Sequence, residues 1–232
     1  MRRVAIVTAA SKGMGLACAR QLKSEGYDLA IMARGVEILH VGKELGAACL
    51  QGSTENNEDI GKLIELAMSE YGKIDVVVNN TGHSAKGKLL ELTDKQWHQG
   101  VNLLLMNTIR MSRLVAPIME RNGTGSMINI STFGAKEPSL SFPISSVVRS
   151  ALTSFTKLFV QQYGPSGLRM NNVLPGFIDS YPASDELISQ IPARRQGTTS
   201  EVADVVSFLA SDKSSYVNGQ NILVDGGLTK SI

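Results

Sequence analysis

Arg3-Val4-Ala5-Ile6-Val7-Thr8-Ala9-Ala10-Ser11-Lys12-Gly13-Met14-Gly15-Leu16-Ala17 is the stretch whose reading decides the fold. Val4 to Val7 is a short apolar run, the length of a strand buried on both faces. Ser11, Lys12 and two glycines punctuate it, and apolar residues resume at helical spacing from Leu16 to Leu22. A strand that turns at glycines into a helix is the layout that seats a pyrophosphate on a helix N-terminus. The free N–H groups and partial positive charge there face the ligand, and glycines allow close backbone approach. Alone, the stretch also fits a plain strand-to-helix turn.

Further apolar runs read as strands at Leu29–Met32, Ala47–Leu50, Ile74–Val78, Ser126–Ile130, Arg169–Leu174 and Asn221–Val224. Between most of them lie segments with three- and four-residue apolar spacing: Ile60–Met68, Val101–Met119, Val147–Tyr163 and Val202–Leu209. This alternation predicts an α/β chain, a doubly wound parallel sheet with helices on both faces. Right-handed crossovers bring the carboxyl ends of the strands to one edge, where ligands bind. No linker, repeat or low-complexity tract divides the chain, so one domain over 1–232 is expected.

Composition narrows the function. Hydrophobic residues make up 43% of the 232, enough for one core, and a net charge of +2 gives no reason to expect nucleic acid or an anionic membrane as partner. Cys18 and Cys49 lack metal-ligand spacing and read as reduced core thiols. The apolar run after Arg2 and Arg3 is too short for a signal peptide, and no stretch approaches a membrane span. A cytoplasmic protein is expected.

The strand ends carry the chemistry. Strand two ends Ile31-Met32-Ala33-Arg34, with no acidic neighbour until Glu37. An acidic residue here would hold ribose hydroxyls, whereas an arginine suits a 2′-phosphate, so NADP(H) is favoured over NAD(H). Strand four ends Val78-Asn79-Asn80-Thr81-Gly82, whose amides can bridge strands and whose glycine lets a ribose approach.

Together Thr8 to Gly15, Asp75 with Asn79-Asn80-Thr81-Gly82, Asn171 with Pro175-Gly176-Phe177-Ile178, and Val217-Asn218-Gly219-Gln220 with Val224-Asp225-Gly226-Gly227 resemble the short-chain dehydrogenase/reductase family. The branch they look like reduces oxoacyl thioesters and related ketones. The resemblance spans nearly the whole chain and implies a seven-stranded, Rossmann-type parallel sheet. It places Ser11, Lys12 and Met14 along the pyrophosphate and 2′-phosphate, with Gly13 and Gly15 in the turn. It sets Arg34 on the 2′-phosphate, Ser53 and Thr54 beside adenine, and Asn80, Thr81 and Gly82 along the ribose. Pro175, Gly176 and Ile178 would cover the nicotinamide, and a short lid at about 181–196 would close over substrate. Ala9 replaces the usual first glycine, a tolerable change if that position has negative φ. Ser53 replaces the usual aspartate, and Thr81 the usual alanine.

The catalytic positions depart from the family. Its serine, tyrosine, lysine and asparagine fall, by ungapped counting, on Thr132, Ser145, Arg149 and Leu104. Thr132 keeps a hydroxyl. Ser145 is shorter and far less acidic than a phenol with its pKa of about 10. Arg149 can still bind a ribose or an anion but cannot relay a proton. Two residues could supply the proton instead. His83 follows Gly82 at the cleft mouth, with a pKa suited to acid–base work, and Tyr181 begins the lid. They read equally as an exposed loop histidine and a packing residue. His40 and His98 read as surface residues, Asp179 and Glu137 could meet a substrate, and Arg194 and Arg195 fit either an anion site or a solvated basic turn.

Three functions follow. The first is an NADP(H)-dependent oxidoreductase of a carbonyl or alcohol, small or carried on an acyl-carrier group, with an atypical proton donor. The second is a catalytically degenerate NADP(H)-binding member with a structural or sensing role. The third is a lyase resembling halohydrin dehalogenases, which place an arginine where Arg149 stands but keep a tyrosine. The resemblance also implies that Val101–Met119 and Val147–Tyr163 pack across a two-fold, giving a homodimer or homotetramer.

Overall fold

The computed structural model describes residues 2–231. Its first strand, β1 (Val4–Thr8), is buried at every position. Successive side chains alternate between the faces, so Ala5 and Val7 enter one apolar cluster and Ile6 the other. The remaining strands are β2 (Asp28–Ala33), β3 (Ala48–Gln51), β4 (Val76–Asn79), β5 (Gly125–Ile130), β6 (Leu168–Pro175) and β7 (Asn221–Val224). They form one seven-stranded sheet in the order β3-β2-β1-β4-β5-β6-β7, parallel at every pairing. The strand order reverses between β1 and β4, and a ligand crevice opens outside the carboxyl ends at such a point.

The helices are α1 (Gly13–Ser24), α2 (Glu37–Leu45), α3 (Asn57–Tyr71), α4 (Asp94–Val101), α5 (Asn107–Asn122), α6 (Pro143–Tyr163), α7 (Asp185–Gln190) and α8 (Thr199–Ala210). One face of the sheet is covered through Cys18, Leu22, Ile38, Val41, Val202, Val206 and Leu209 of α1, α2 and α8. The other meets Ile60, Leu63, Met111, Val115, Met119 and Phe159 of α3, α5 and α6. Burial pushes the Cys18 thiol up to about 12, which makes it an inert core group. Cys49 is half-buried in β3.

The expected strands are present within one residue of their limits, save that β4 starts two residues later, at Val76 rather than Ile74. Asp75 sits before it and accepts a 2.7 Å bond from the Val4 amide. The expected Val101–Met119 helix is part of a longer run. It begins with α4, capped reciprocally by Thr93 and Gln96, passes through a π-helical turn at Asn102–Met106, and continues as α5. Helix α6 starts four residues earlier than the apolar spacing indicated, with Pro143 in its first turn, where a missing N–H costs nothing.

A row of buried amides fastens β4 to β7. Asn79 donates to Asn129 (2.9 Å), Asn129 to Asn172 (2.8 Å), and Asn172 to Asn221 (2.7 Å). These residues face one another in register, so the row holds the strand ends that frame the site.

Candidate functional site

The site begins at the β1–α1 turn. Gly13 has φ of 56°, in the left-handed region that glycine enters without penalty. Gly15 is required for another reason: a Cβ there would stand 2.3 Å from the Ala9 carbonyl oxygen and 2.6 Å from the Asn80 Nδ2. Asn80 donates to that same carbonyl at 3.3 Å, and Thr8 Oγ1 donates to the Asn80 carbonyl at 2.7 Å. The turn, β1 and β4 are thereby drawn tightly together. Ala9 departs from expectation. Its φ is 47°, not negative, so the chain holds an alanine in a conformation that disfavours a Cβ by about 1–2 kcal/mol.

Helices α3, α4, α7 and α8 are capped by the side chains of Asn56, Thr93, Ser184 and Thr198. Helix α1 has no side-chain cap and no acidic residue in its first turn. Its first residues, Gly13 and Met14, line a cleft of about 770 Å³. The cleft lining includes Ser11, Lys12, Ser53, Thr54, Asn80, Thr81 and Gly82. The turn offers donors and no carboxylate, an arrangement suited to a pyrophosphate.

Arg34 extends from the end of β2 across the cleft. Its guanidinium lies 3.7 Å from where a Gly82 Cβ would be and 3.9 Å from the Glu55 carboxylate. Glu55 lines the cleft with Glu37, and neither was singled out among the candidate site residues. Extending the strand-end rule a few residues past β3 reaches Glu55. Leu103, also in the wall, comes from the π-helical turn, and its position has no signal in the apolar spacing.

The other half is built differently. The cleft wall ends at His83, Ser180 and Tyr181, and Thr132, Ser145, Arg149, Pro175, Gly176 and Ile178 lie outside it. Thr132 caps the short 3₁₀ turn Phe133–Ala135 through a 3.4 Å bond from the Gly134 amide, while the neighbouring Ser131 hydroxyl is buried with no partner. Ser145 is half-buried on α6, four residues before Arg149. Arg149 is buried and donates to the Ile130 carbonyl at 2.6 Å and the Thr81 hydroxyl at 3.4 Å. Burial lowers its pKa to about 10. Leu104, which ungapped counting sets at the family's asparagine position, packs with Ile144 and Val148. Pro175 ends β6, and Ile178 forms a parallel bridge with Gly197. Gly176 has no room for a Cβ, which would come 2.8 Å from the Asp225 Cα.

His83 and Tyr181 meet edge to face, their ring centroids 4.8 Å apart. Gln196 holds the lid root by donating to the Tyr181 and Ile178 carbonyls at 2.8 and 3.1 Å. The His83 pKa is lowered by partial burial first, then by Arg149 and Lys86. Asp179 and Glu137, expected as candidates to meet substrate, are engaged elsewhere. Asp179 caps the first amide of α8 at Thr199, and Glu137 accepts the Lys230 and Ser231 amides of the C-terminal tail. Arg195 pairs with Glu201, Arg194 donates to the Ser189 carbonyl, and both are exposed, as are His40 and His98. No group of three or more metal-ligating side chains gathers among the described residues.

A family model described as enoyl-(acyl carrier protein) reductase matches residues 8–229. A 3-oxoacyl-[acyl-carrier-protein] reductase FabG of Staphylococcus epidermidis is 29% identical, covering 98% of this chain and 99% of its own. The dehydrogenase/reductase SDR family member 4 of Caenorhabditis elegans is 30% identical, covering 97% and 95%. The crystal structure of YwfH, an NADPH-dependent reductase involved in bacilysin biosynthesis, superposes with a TM-score of 0.95 at 28% identity over all of both chains.

Proposed function

This chain belongs to the short-chain dehydrogenase/reductase family, and from that premise we propose that it is an NADP(H)-dependent oxidoreductase of a carbonyl or alcohol whose proton donor is His83. The uncapped N-terminus of α1, opening through Gly13 and over Gly15 into a cleft bounded by Arg34, carries the reading. The fit is specific, because the space a Gly15 side chain would need is filled by the turn that cradles the phosphates. Lys12 and Arg34 are the cations suited to the 2′-phosphate, and Ser53 and Thr54 suit the adenine end. NADPH-dependent reduction in a structural neighbour of this similarity supports the choice of cofactor.

When bound, the reduced dinucleotide supplies hydride to the carbonyl carbon. The chain supplies the proton and the orientation. Neither Ser145 nor Arg149 can protonate the developing alkoxide at neutral pH, since the first is a weak acid and the second does not release its proton. His83 stands at the cleft mouth, is held against Tyr181, and carries a titratable imidazole whose pKa is lowered by partial burial, Arg149 and Lys86. Tyr181 positions the imidazole and, with residues 181–196, closes over the substrate. Thr132 and Thr81 supply neutral hydroxyls to the carbonyl and ribose side.

The substrate is a small carbonyl compound or one delivered on an acyl-carrier group, and the setting is cytoplasmic. No described helix is long and apolar enough to cross a membrane. Leu114 on α5 and Val147 and Leu158 on α6 are exposed at 37%, 55% and 65%, apolar surface suited to a two-fold contact between copies. The test is NADPH consumption, followed at its near-ultraviolet absorbance, against a panel of ketones and 3-oxoacyl thioesters. Turnover with at least one is expected. Tight NADPH binding without turnover of any would leave the chain a dinucleotide-binding member without this chemistry.

A further inference from the structure

Two cations, Arg149 and Lys86, stand behind the His83 end of the cleft wall with no carboxylate paired to either. Arg149 is 8% exposed, and both of its hydrogen-bond acceptors, the Ile130 carbonyl and the Thr81 hydroxyl, are neutral. Lys86 lies on the loop after β4, near enough to Arg149's other neighbour, His83, for both cations to disfavour the imidazolium. None of the three forms an ion pair among the described residues. The acidic residues that could have answered them are occupied: Asp179 caps α8 and Glu137 holds the C-terminal tail. The carboxylates in the cleft wall, Glu37 and Glu55, belong to the adenosine half.

A buried guanidinium with only neutral partners is costly, and an anion seated beside it would offset that cost. A second observation points the same way. Ser131 follows Ile130, whose carbonyl fixes Arg149, and its buried hydroxyl has no partner. Thr81 connects the interior to the cleft, since its hydroxyl accepts from the Arg149 Nη2 and the residue is part of the cleft wall. We infer that Arg149, with Thr81 at the cleft wall, anchors a carboxylate of the substrate, so that the substrate class is an oxo or hydroxy acid. This rests on the oxidoreductase reading for the chemistry but not for the binding of the anion.

The arrangement also couples the anchor to the proton donor. The groups facing His83 are Arg149 on α6, Lys86 on its own loop and Tyr181 on the lid. A carboxylate seated at Arg149 offsets that positive field, and His83 then holds its proton more firmly. The anionic substrate thus loads the group that will protonate it, and a neutral ketone does not.

The experiment reads the His83 imidazole by proton NMR in the full-length protein with saturating NADPH; His83→Gln assigns its signal among the chain's three histidines. Acetate is the probe, and acetamide is its neutral control. Acetate is expected to raise the His83 pKa by about 0.5 or more and acetamide to leave it in place. In Arg149→Gln the pKa should start higher and no longer respond to acetate. Thr81→Ala, a milder change that frees the guanidinium on its cleft side, should make acetate act at lower concentration. No acetate effect in the wild type, or an unchanged effect in Arg149→Gln, would overturn the inference. If Arg149→Gln does not fold, an acetate response unaltered by Thr81→Ala does so instead. NADPH binding is measured on the same samples, so loss of the cofactor reading shows separately.

Discussion

The adenosine half of the cleft and its reacting half are made by the same sheet edge, yet they are built on opposite terms. The first relies on backbone: an uncapped helix end, Gly13 in the left-handed region, and Gly15 where no side chain fits. The second relies on side chains, and ungapped counting sets Ser145, Arg149 and Leu104 where the family carries tyrosine, lysine and asparagine. Backbone-built sites tolerate little change, because the glycine that permits the geometry has no substitute. A side-chain site can be re-equipped from a neighbouring loop while the scaffold stands, and the proposed function gives that part to His83 and Tyr181, whose rings meet edge to face. On the proposed function, a dinucleotide cradle and a proton donor are separable parts of one fold.

The contrast breaks first if His83 does not carry the proton. His83→Ala is expected to slow reduction by about 10²–10⁴-fold, the ordinary worth of a general acid. The wild-type rate should rise as pH falls through the His83 pKa, which partial burial and the two cations hold below 6.5, because only the imidazolium donates. A rate profile unchanged by the substitution would return the task to another group. On the backbone side, Gly15→Ala should destabilise the protein by about 1–3 kcal/mol, the cost of forcing a methyl into a filled space. Denaturant unfolding reads it, and NADPH affinity should fall with it; no change in either would mean that the turn is looser than its contacts indicate.

Smaller effects sharpen the same line. Ala9 is the one place where the backbone half carries strain, so Ala9→Gly should stabilise the fold by about 1 kcal/mol in thermal or chemical unfolding. A loss of stability would show that the chain has relaxed around the alanine. Smallest of all, Ser145→Ala should alter kcat by less than about threefold, since an aliphatic hydroxyl is no acid at neutral pH. A large loss would make Ser145 a working member of the reacting half.

The sequence showed the backbone half more fully than the other. Apolar runs bounded by glycine and polar residues located the strands, because a strand buried on both faces has to be apolar throughout, as in Val4–Thr8. The strand-end rule reached Arg34 and Asn80, both in the cleft wall. It did not reach the geometry that depends on partners distant in sequence. That Ala9 takes positive φ, and that Glu137 is held by residues 230 and 231, follow from tertiary contacts. The π-helical turn at Asn102–Met106 is another case, since its residues keep the apolar pattern of an ordinary helix. The Thr93–Gln96 capping box and Pro143 were signals present in the chain that periodicity alone passed over.

The central claim is that the dinucleotide half is intact and reads the 2′-phosphate through Arg34. Its most direct test is a calorimetric titration of the wild type and Arg34→Ala with NADPH and NADH. The account predicts that NADPH binds the wild type at least about tenfold more tightly than NADH, and that Arg34→Ala removes the preference by weakening NADPH alone, as expected for a lost charge-assisted contact of about 1.5–3 kcal/mol. Equal affinity for the two nucleotides in the wild type, or binding of neither, would contradict it.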